Sequence, residues 1–235
     1  MDGLSYQKEY FDKKAVFYDR ATIFGRKNRN HLKKIEKMAQ LLDLRSGYQI
    51  LEIGVGTGIH AEYLLEHCPG IFFVGVDLSS EMLKQTQRRL EKFDNILLKV
   101  DNGEELHFAD RTFDAVYMSD TLHHFCNPQR GVQELIRVLK PGKKFVIMEA
   151  NPLFFKIFIN ALLNKVDRNA LRMTETNLRL WLREQRVRDM RIENFIYTLP
   201  APRFLFSLYD RIDNFFCEIP ILSRFSVMIY ATGKK

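Results

Sequence analysis

The chain has 235 residues, of which 46% are hydrophobic and 28% charged, a balance typical of a folded globular protein rather than a disordered one. That length suits one sizeable α/β domain and leaves little room for two full domains. The net charge of +7 would suit nucleic acid, anionic lipid or an acidic substrate, but no basic run interleaved with aromatic residues marks a nucleic-acid groove, so we expect no nucleic-acid partner.

The cysteines and the apolar segments indicate the cellular compartment in which the protein is expected. Cys68, Cys126 and Cys217 are far apart and show no ligand spacing, so we expect reduced thiols and no metal site. Residues 1–14 lack the apolar stretch of a secretory signal. No run approaches the roughly 18 apolar residues of a membrane span. These features predict a cytoplasmic protein.

The first predicted element is an amphipathic helix at His31–Leu42, with Leu32, Ile35, Ala39 and Leu42 on its buried face. An aromatic segment of mixed charge precedes this helix.

Alternating strand and helix patterns follow this first helix. Five apolar runs have the character of buried parallel strands: Tyr48–Ile53, Ile71–Val76, Asn95–Val100, Phe113–Met118 and Lys144–Glu149. Helical patterns lie between them at Glu81–Lys92 and Asn127–Lys140, and the Lys-Pro-Gly sequence from 140 to 142 ends the second. This alternation predicts an α/β fold with an open, doubly wound sheet.

The last part of the chain returns to helix and strand patterns. A helix is predicted at Thr174–Met190, and two β patterns follow at Arg191–Thr198 and Phe225–Thr232.

The strongest chemical signal is a loop in which glycine occupies every second position: Gly54, Gly56 and Gly58. Glycine permits positive φ and lets a ligand approach the backbone closely. The dinucleotide fingerprint places its third glycine three residues after its second, where this chain has Ile59, and no P-loop Lys-Ser or Lys-Thr pair is present. A simple tight turn is the alternative for the loop taken alone.

Acidic residues end the next two predicted strands. Asp77 lies about 20 residues beyond the glycine loop, where nucleoside-binding folds place the carboxylate that holds the ribose hydroxyls. Its alternative role is to cap the following helix, which Ser79 or Ser80 could do as well. Asp101 ends the third strand, at the edge where open α/β sheets bind ligands, or it is a turn residue.

Five motifs then resemble, in order and spacing, the class I S-adenosylmethionine-dependent methyltransferases, above all their quinone-, sterol- and small-molecule-type members: ILEIGVGTG, VGVD, KVDNGEELHF, FDAVYMSDTLHHF and RVLKPGKKFVIME. The resemblance covers residues 48–150. It implies a Rossmann-like, mostly parallel seven-stranded sheet whose last strand is antiparallel, S-adenosylmethionine as cofactor, and methyltransferase activity. We therefore predict one domain over residues 1–235, with an N-terminal helical lid (1–45), a cofactor-binding core (46–151), and cap helices with the last two strands (152–235).

The resemblance also implies the cofactor contacts, which are Glu52, Gly54, Gly56, Gly58, Asp77, Leu78, Asp101, Asn102, Ser119, Tyr10 and Tyr18. Glu52 and the glycine loop would surround the methionine end, Asp77 would hold the ribose, and Leu78 would lie beside the adenosine. Asp101 would accept a hydrogen bond from the adenine amino group beside the Asn102 backbone.

The remaining implied contacts surround the reactive end of the cofactor. Ser119 would lie beneath the sulfonium. Tyr10 and Tyr18 correspond to an aromatic lid that would exclude water and face the cationic sulfur. Ordinary packing is the alternative role of both tyrosines.

Two histidines are the candidates for a catalytic base. Methyl transfer needs a positioned nucleophile, and a base where that nucleophile is a hydroxyl. His123 and His124 follow the fourth predicted strand, and either could be the base, with His124 slightly favoured; packing of the loop is the alternative. Glu149 is a weaker candidate.

Phenylalanine-rich segments follow the fifth strand and precede the last one: Phe154, Phe155, Phe158, Phe204, Phe206, Phe215 and Phe216, with Lys156, Lys165, Arg203 and Arg211 near them. They favour a small hydrophobic acceptor, such as a lipid, an isoprenoid quinone or a polyketide-like molecule, drawn from a membrane surface. Packing between helices or a homodimer contact is the alternative.

Two other functions stay open from the sequence. The chain could be a catalytically silent, cofactor-binding partner subunit. It could also be a nucleic-acid methyltransferase, although the Ser-Asp-Thr-Leu sequence from 119 to 122 replaces the Asn/Asp-Pro-Pro-Tyr-like motif that base-amino methyltransferases carry there.

Overall fold

A computed structural model describes the chain at residues 3–18, 29–195, 207–208, 211–213, 215, 219 and 223–235. Several predictions fall outside these residues: Arg203, Phe204, Phe206 and Phe216 of the predicted cap, Cys217, and residues 196–198 of a predicted strand, together with the Lys165 side chain.

The described residues form one seven-stranded sheet from β1 (Gln49–Ile53), β2 (Phe72–Asp77), β3 (Ile96–Val100), β4 (Phe113–Ser119), β5 (Leu139–Ala150), β6 (Arg188–Phe195) and β7 (Met228–Lys234). The strand order is β3-β2-β1-β4-β5-β7-β6. Neighbours from β3 to β5 are parallel, whereas β7 is antiparallel to both β5 and β6. This confirms the predicted mostly parallel α/β sheet with an antiparallel last strand. Because the order reverses between β1 and β4, a crevice opens at their carboxyl ends.

The helices are α1 (Gly3–Lys14), α2 (Arg29–Leu42), α3 (Ile59–His67), α4 (Ser80–Arg89), α5 (Pro128–Val138), α6 (Phe155–Leu163) and α7 (Glu175–Glu184), with 3-10 turns at Ala15–Phe17, Leu122–His124 and Lys165–Arg172. Within the described ranges, none of them combines the length and apolar character needed to cross a membrane.

Side chains alternate along β1 and so enter two apolar cores. Leu51 and Ile53 join a cluster with residues of α5 and α7, whereas Ile50 joins a cluster with residues of α2 and α3. Two neighbours on a strand point to opposite faces, so a strand covered on both faces is apolar throughout. This explains why the parallel strands could be predicted from short continuous apolar runs.

Two predicted element boundaries are wrong. The helix α5 ends at Val138 and β5 begins at once, because residues beyond 138 pair with β4 and with the end of the chain, where Gly142 N donates to the Lys235 carbonyl at 2.9 Å. The helix α7 ends at Glu184, since Arg186 adopts a positive φ of 55°. Met190, predicted to be helical, therefore lies in β6.

The buried face of α2 also differs from its prediction. Leu32 is 42% exposed, whereas His31 and Lys34 are buried beside Ile35 and Met38. Positions 31, 35, 38 and 42 share one helical face, so the buried stripe has the predicted spacing but begins with a polar residue. Two polar side chains are thereby brought toward the sheet.

We predict that the cap of α7 stabilises the outer layer of the fold. Thr174 accepts a hydrogen bond from Asn177 N at 3.2 Å, and α7 buries Leu178, Trp181 and Leu182. Thr174→Ala should lower the free energy of unfolding by about 1 kcal/mol, because the first turn loses a partner for its N–H groups. The exposed Thr176 supplies the control, since Thr176→Ala should change the value by less than about 0.5 kcal/mol. Equal effects of the two variants in urea denaturation would contradict a capping role.

Candidate functional site

A cavity of about 680 Å³ opens at the carboxyl ends of the parallel strands. Most of the sequence-predicted site residues line it: Tyr10, Tyr18, Gly54, Gly56, Asp77, Leu78, Asp101, Asn102, Ser119, His123 and His124. Glu52 and Gly58 do not. The cavity lies at the reversal of strand order, where open α/β sheets bind their ligands.

Within the glycine loop, Gly54 permits close packing of the backbone and Gly56 leaves space in the cavity. Gly54, Gly56 and Gly58 all have positive φ, of 78°, 54° and 78°. A Cβ on Gly54 would lie 2.2 Å from Thr121 Cγ2, so glycine is required there for the chain after β1 to approach the chain after β4 this closely. A Cβ on Gly56 would meet nothing within 4 Å. Gly56 is therefore the position at which the loop leaves room for a ligand.

The Asp77 carboxylate is fixed by backbone donors and is not a helix cap. Its Oδ2 accepts a hydrogen bond from Gly56 N and its Oδ1 from Ser79 N, both at 2.9 Å. Ser79 caps α4 instead, accepting from Met82 N. Burial raises the pKa of Asp77 to about 6, although these backbone hydrogen bonds act in the opposite direction. Each oxygen keeps acceptor capacity, as a pair of ribose hydroxyls requires.

The Asp101 carboxylate makes several contacts within the protein, although its predicted role is to accept a hydrogen bond from adenine. It is 5% exposed. Its oxygens accept from Asn102 N and His107 N, contact the His107 ring at 2.7 Å, and pair with Lys99 at 3.2 Å. Burial raises the pKa of Asp101, but these hydrogen bonds hold it below its usual value. An adenine amino group at Asp101 would therefore replace His107 or Lys99, whose side chains are exposed.

The N-terminal helix covers the cavity and is held to α4. Asp12 Oδ1 accepts hydrogen bonds from Ser79 Oγ at 2.5 Å and from Glu81 N at 3.4 Å. A carboxylate at a helix N-terminus is favoured by the helix dipole. Phe11, which the sequence analysis did not single out, packs edge-to-face against His124 at 4.8 Å and lies 6.3 Å from the Tyr18 ring. Burial raises the pKa of the Tyr18 phenol.

His123 and His124 differ in their surroundings. His123 Nδ1 lies 2.5 Å from Glu149 Oε2, and Glu149 also accepts hydrogen bonds from Thr121 N and Leu122 N. Burial lowers the pKa of His123, but Glu149 outweighs it and raises the pKa above its usual value. Burial, followed by the charge of His123, lowers the pKa of His124 well below its usual value. Glu149 therefore favours the protonated form of His123, whereas burial favours the neutral form of His124.

A polar cluster beside the glycine loop escaped the sequence analysis. His31, Lys34, His60 and Asp120 all line the cavity. Glu52, which does not line it, lies behind His60, with Oε1 at 3.1 Å from His60 Nδ1. The one sequence signal was the spacing of His31 and Lys34 on the buried face of α2. Their approach to residues distant along the chain requires the tertiary structure.

One group in the described part of the chain has the geometry of a cation site. His123, His124 and Asp167 place ligand-type atoms within 4.8 Å of one another. His123 already uses Nδ1 on Glu149, and Asp167 Oδ2 accepts hydrogen bonds from two asparagine side chains. Protein contacts thus position two of the three side chains, and we assign no metal to the group.

Residues 51–147 match the family model described as methyltransferase domain. The demethylmenaquinone methyltransferase of Tropheryma whipplei (strain Twist) is 30% identical over 143 residues, covering 60% of this chain and 58% of the relative. That of Symbiobacterium thermophilum is 34% identical over 156 residues, covering 63% and 61%. The chain thus spans about three-fifths of the length of these curated relatives.

Solved structures share the fold. Phosphoethanolamine N-methyltransferase 2 of Haemonchus contortus, solved with S-adenosyl-L-methionine, superposes with a TM-score of 0.69 at 20% identity, covering 100% of this chain and 60% of that one. A SAM-dependent methyltransferase from Archaeoglobus fulgidus superposes with a TM-score of 0.64 at 19% identity, covering 96% and 99%. Residues 51–147 thus match a methyltransferase domain, and the chain shares the fold of these solved structures.

Proposed function

We propose that this chain transfers the methyl group of S-adenosylmethionine to a small hydrophobic acceptor of the quinone or lipid type. The observation that carries the proposal is the composition of the cavity at the carboxyl ends of the parallel strands. Gly56 and Asp77 lie at one end, and the apolar side chains of Phe155, Ile159 and Leu163 line its wall at α6. A ligand held at the first end and an acceptor entering along α6 would share one space.

The residues at the first end fit the cofactor. Gly56 leaves open space beside the backbone, and both oxygens of Asp77 retain acceptor capacity. Ser119 Oγ is buried without a hydrogen-bond partner among the described residues. Buried polar atoms are normally satisfied, so an orphaned hydroxyl in a cavity wall is suited to a polar ligand. When bound, the cofactor supplies a carbon activated for attack by its positively charged sulfur.

The chain's own contribution to the chemistry is to position the acceptor, exclude water and accept a proton. Phe11 and Tyr18 close the cavity from the N-terminal side. We propose His124 rather than His123 as the proton acceptor, because burial keeps the His124 imidazole neutral and able to take a proton, whereas Glu149 occupies His123 Nδ1 and favours its protonated form. Glu149 acts by holding His123 and the turn after β4.

The exposed surface of α6 supports an acceptor taken from a membrane surface. Large apolar side chains are exposed on or beside this helix: Leu153, Phe155, Phe158, Ile159, Leu162 and Leu163. Exposed apolar clusters of this kind mark interaction surfaces. The relatives named for demethylmenaquinone, an isoprenoid quinone, favour the same class of acceptor. In this proposal residues 1–45 act as the lid, residues 46–151 as the cofactor-binding core, and residues 152–235 contribute the acceptor cap and the last two strands. The alternative is that a second copy of the chain covers the apolar surface of α6 in a homodimer.

The first prediction concerns the acceptor class. With methyl-labelled S-adenosylmethionine, the protein should methylate a demethylated prenyl quinol in mixed micelles and leave phosphoethanolamine and transfer RNA unlabelled. The quinol is electron-rich enough to attack the methyl carbon, and its long apolar tail suits α6. Cofactor binding without transfer to any lipid-type acceptor would favour the silent partner subunit, and labelled RNA would favour a nucleic-acid methyltransferase.

The second prediction concerns the pH dependence of cofactor binding. Asp77 must be ionised to accept two ribose hydroxyls, and its pKa is about 6. The affinity for S-adenosylhomocysteine should therefore fall as pH falls through 6, and be about tenfold weaker at pH 5 than at pH 7.5. Calorimetric titration measures this directly. Asp77→Asn should bind more weakly and without this pH dependence. An identical pH slope in the variant would remove Asp77 from the ribose site.

The third prediction separates the two histidines. His124→Ala should lower kcat about 10²–10⁴-fold with little change in cofactor affinity, because a positioned base acts only in the transition state. His67→Ala is the control, since His67 is exposed, does not line the cavity, and contacts the Tyr63 carbonyl and ring. A kcat of His124→Ala within about twofold of the wild type would show that His124 only packs the loop.

A further inference from the structure

We propose that His31, Lys34, His60 and Asp120 form a binding site for the zwitterionic α-amino-acid group at the tail of the cofactor. This inference rests on the proposed function, because it names how the same cavity holds one part of its ligand. It also assigns the methionine end of the site to residues other than the motif carboxylate, Glu52.

The order of the strands gives the cluster its place. Along the sheet edge, Asp101 follows β3, Asp77 ends β2, the glycine loop follows β1, and Asp120 follows β4. A ligand with its adenine near β3 and its ribose at β2 would direct its remaining part toward β1 and β4. His60 lies in the first turn of the helix after the glycine loop, so the polar cluster lies at that end of the cavity.

Unpartnered buried atoms show that the cluster is built for a ligand. His31 is 4% exposed, yet neither of its ring nitrogens has a hydrogen-bond partner among the described residues. The same holds for His60 Nε2 and for Asp120 Oδ1. The His31 and His60 rings stack at 5.1 Å and 13°. Because buried polar atoms are normally satisfied, four orphaned atoms in one cavity wall point to a polar group that binds there.

The charges of the cluster match both halves of a zwitterion. Lys34, 2% exposed, pairs with Asp120 Oδ2, and its ammonium group supplies positive charge for a carboxylate. Burial lowers the pKa of both His31 and His60. Each imidazole is therefore neutral at pH 7, with one nitrogen able to donate and one able to accept. Asp120 Oδ1 is an acceptor suited to an ammonium group, and a neutral imidazole donates to a carboxylate.

Glu52 supports this site from behind. It is 1% exposed, accepts a hydrogen bond from Tyr117 Oη at 2.8 Å, and contacts His60 Nδ1. Burial raises the pKa of Glu52 well above its usual value. Glu52 therefore holds the His60 ring through Nδ1 and leaves Nε2 for a ligand, which makes Glu52 a positioning residue rather than a ligand contact.

Two ligands that differ only in the tail test the proposal. S-adenosylhomocysteine carries the amino-acid group, whereas 5′-methylthioadenosine has the same nucleoside and thioether without it. His31→Phe keeps the ring and removes only nitrogens that have no described protein partner. By calorimetry, this variant should bind S-adenosylhomocysteine about tenfold more weakly and 5′-methylthioadenosine within about twofold of the wild type. Lys34→Met should show the same selective loss.

The controls separate this inference from the proposed function. Asp77→Asn should weaken both ligands by the same factor, and His67→Phe should weaken neither. A wild-type protein that binds neither ligand would overturn the proposed function. A wild-type protein that binds both, with His31→Phe and Lys34→Met weakening both equally or neither, would overturn the amino-acid site alone. Thermal unfolding of each variant checks that a loss of binding is not a loss of folding.

Discussion

The close contact between the chain after β1 and the chain after β4 is the constraint on which the rest of the site depends. Gly54 lies so close to Thr121 that any side chain at position 54 would collide with it. Thr121 Nα is in turn held by Glu149, through a hydrogen bond of 3.0 Å. This contact lies where the strand order reverses, and it brings the glycine loop, Asp120 and the two histidines to one crevice.

Buried carboxylates organise this crevice, each in a different way. Asp77 is held by backbone N–H groups and keeps acceptor capacity for a ligand. Glu149 is fully buried and does not line the cavity, so it holds the turn after β4 and His123 without reaching a ligand. Glu52 is turned toward Tyr117 and His60. Residues of one chemical type thus serve binding, turn formation and side-chain positioning, according to which donors the fold places beside them.

Much of the fold could be predicted because buried parallel strands leave a local signature. Each apolar run corresponds to a strand covered on both faces, and the glycine loop and Asp77 occupy positions fixed by the topology. The two wrong element boundaries lie where the structure of a residue is not determined by the hydrophobic pattern around it. The start of β5 depends on pairing with β4 and Lys235, and the end of α7 depends on the left-handed backbone of Arg186.

The site was less predictable than the fold for a related reason. His31 and Lys34 occupy buried positions of an amphipathic helix whose apolar residues alone suggested packing, and their partners are distant in the sequence. The different pKa directions of His123 and His124 likewise follow from Glu149, which comes from another strand. Adjacent residues of the same type can be told apart only when the elements around them are in place.

A crystal structure of the protein with S-adenosylhomocysteine tests the account most directly. We expect the ribose hydroxyls within hydrogen-bond distance of both Asp77 oxygens and the amino-acid group at His31 and Lys34. The sulfur should face the part of the cavity that opens along α6. A nucleoside bound at the α6 end, or an amino-acid group away from the histidine pair with the ribose elsewhere than Asp77, would contradict it.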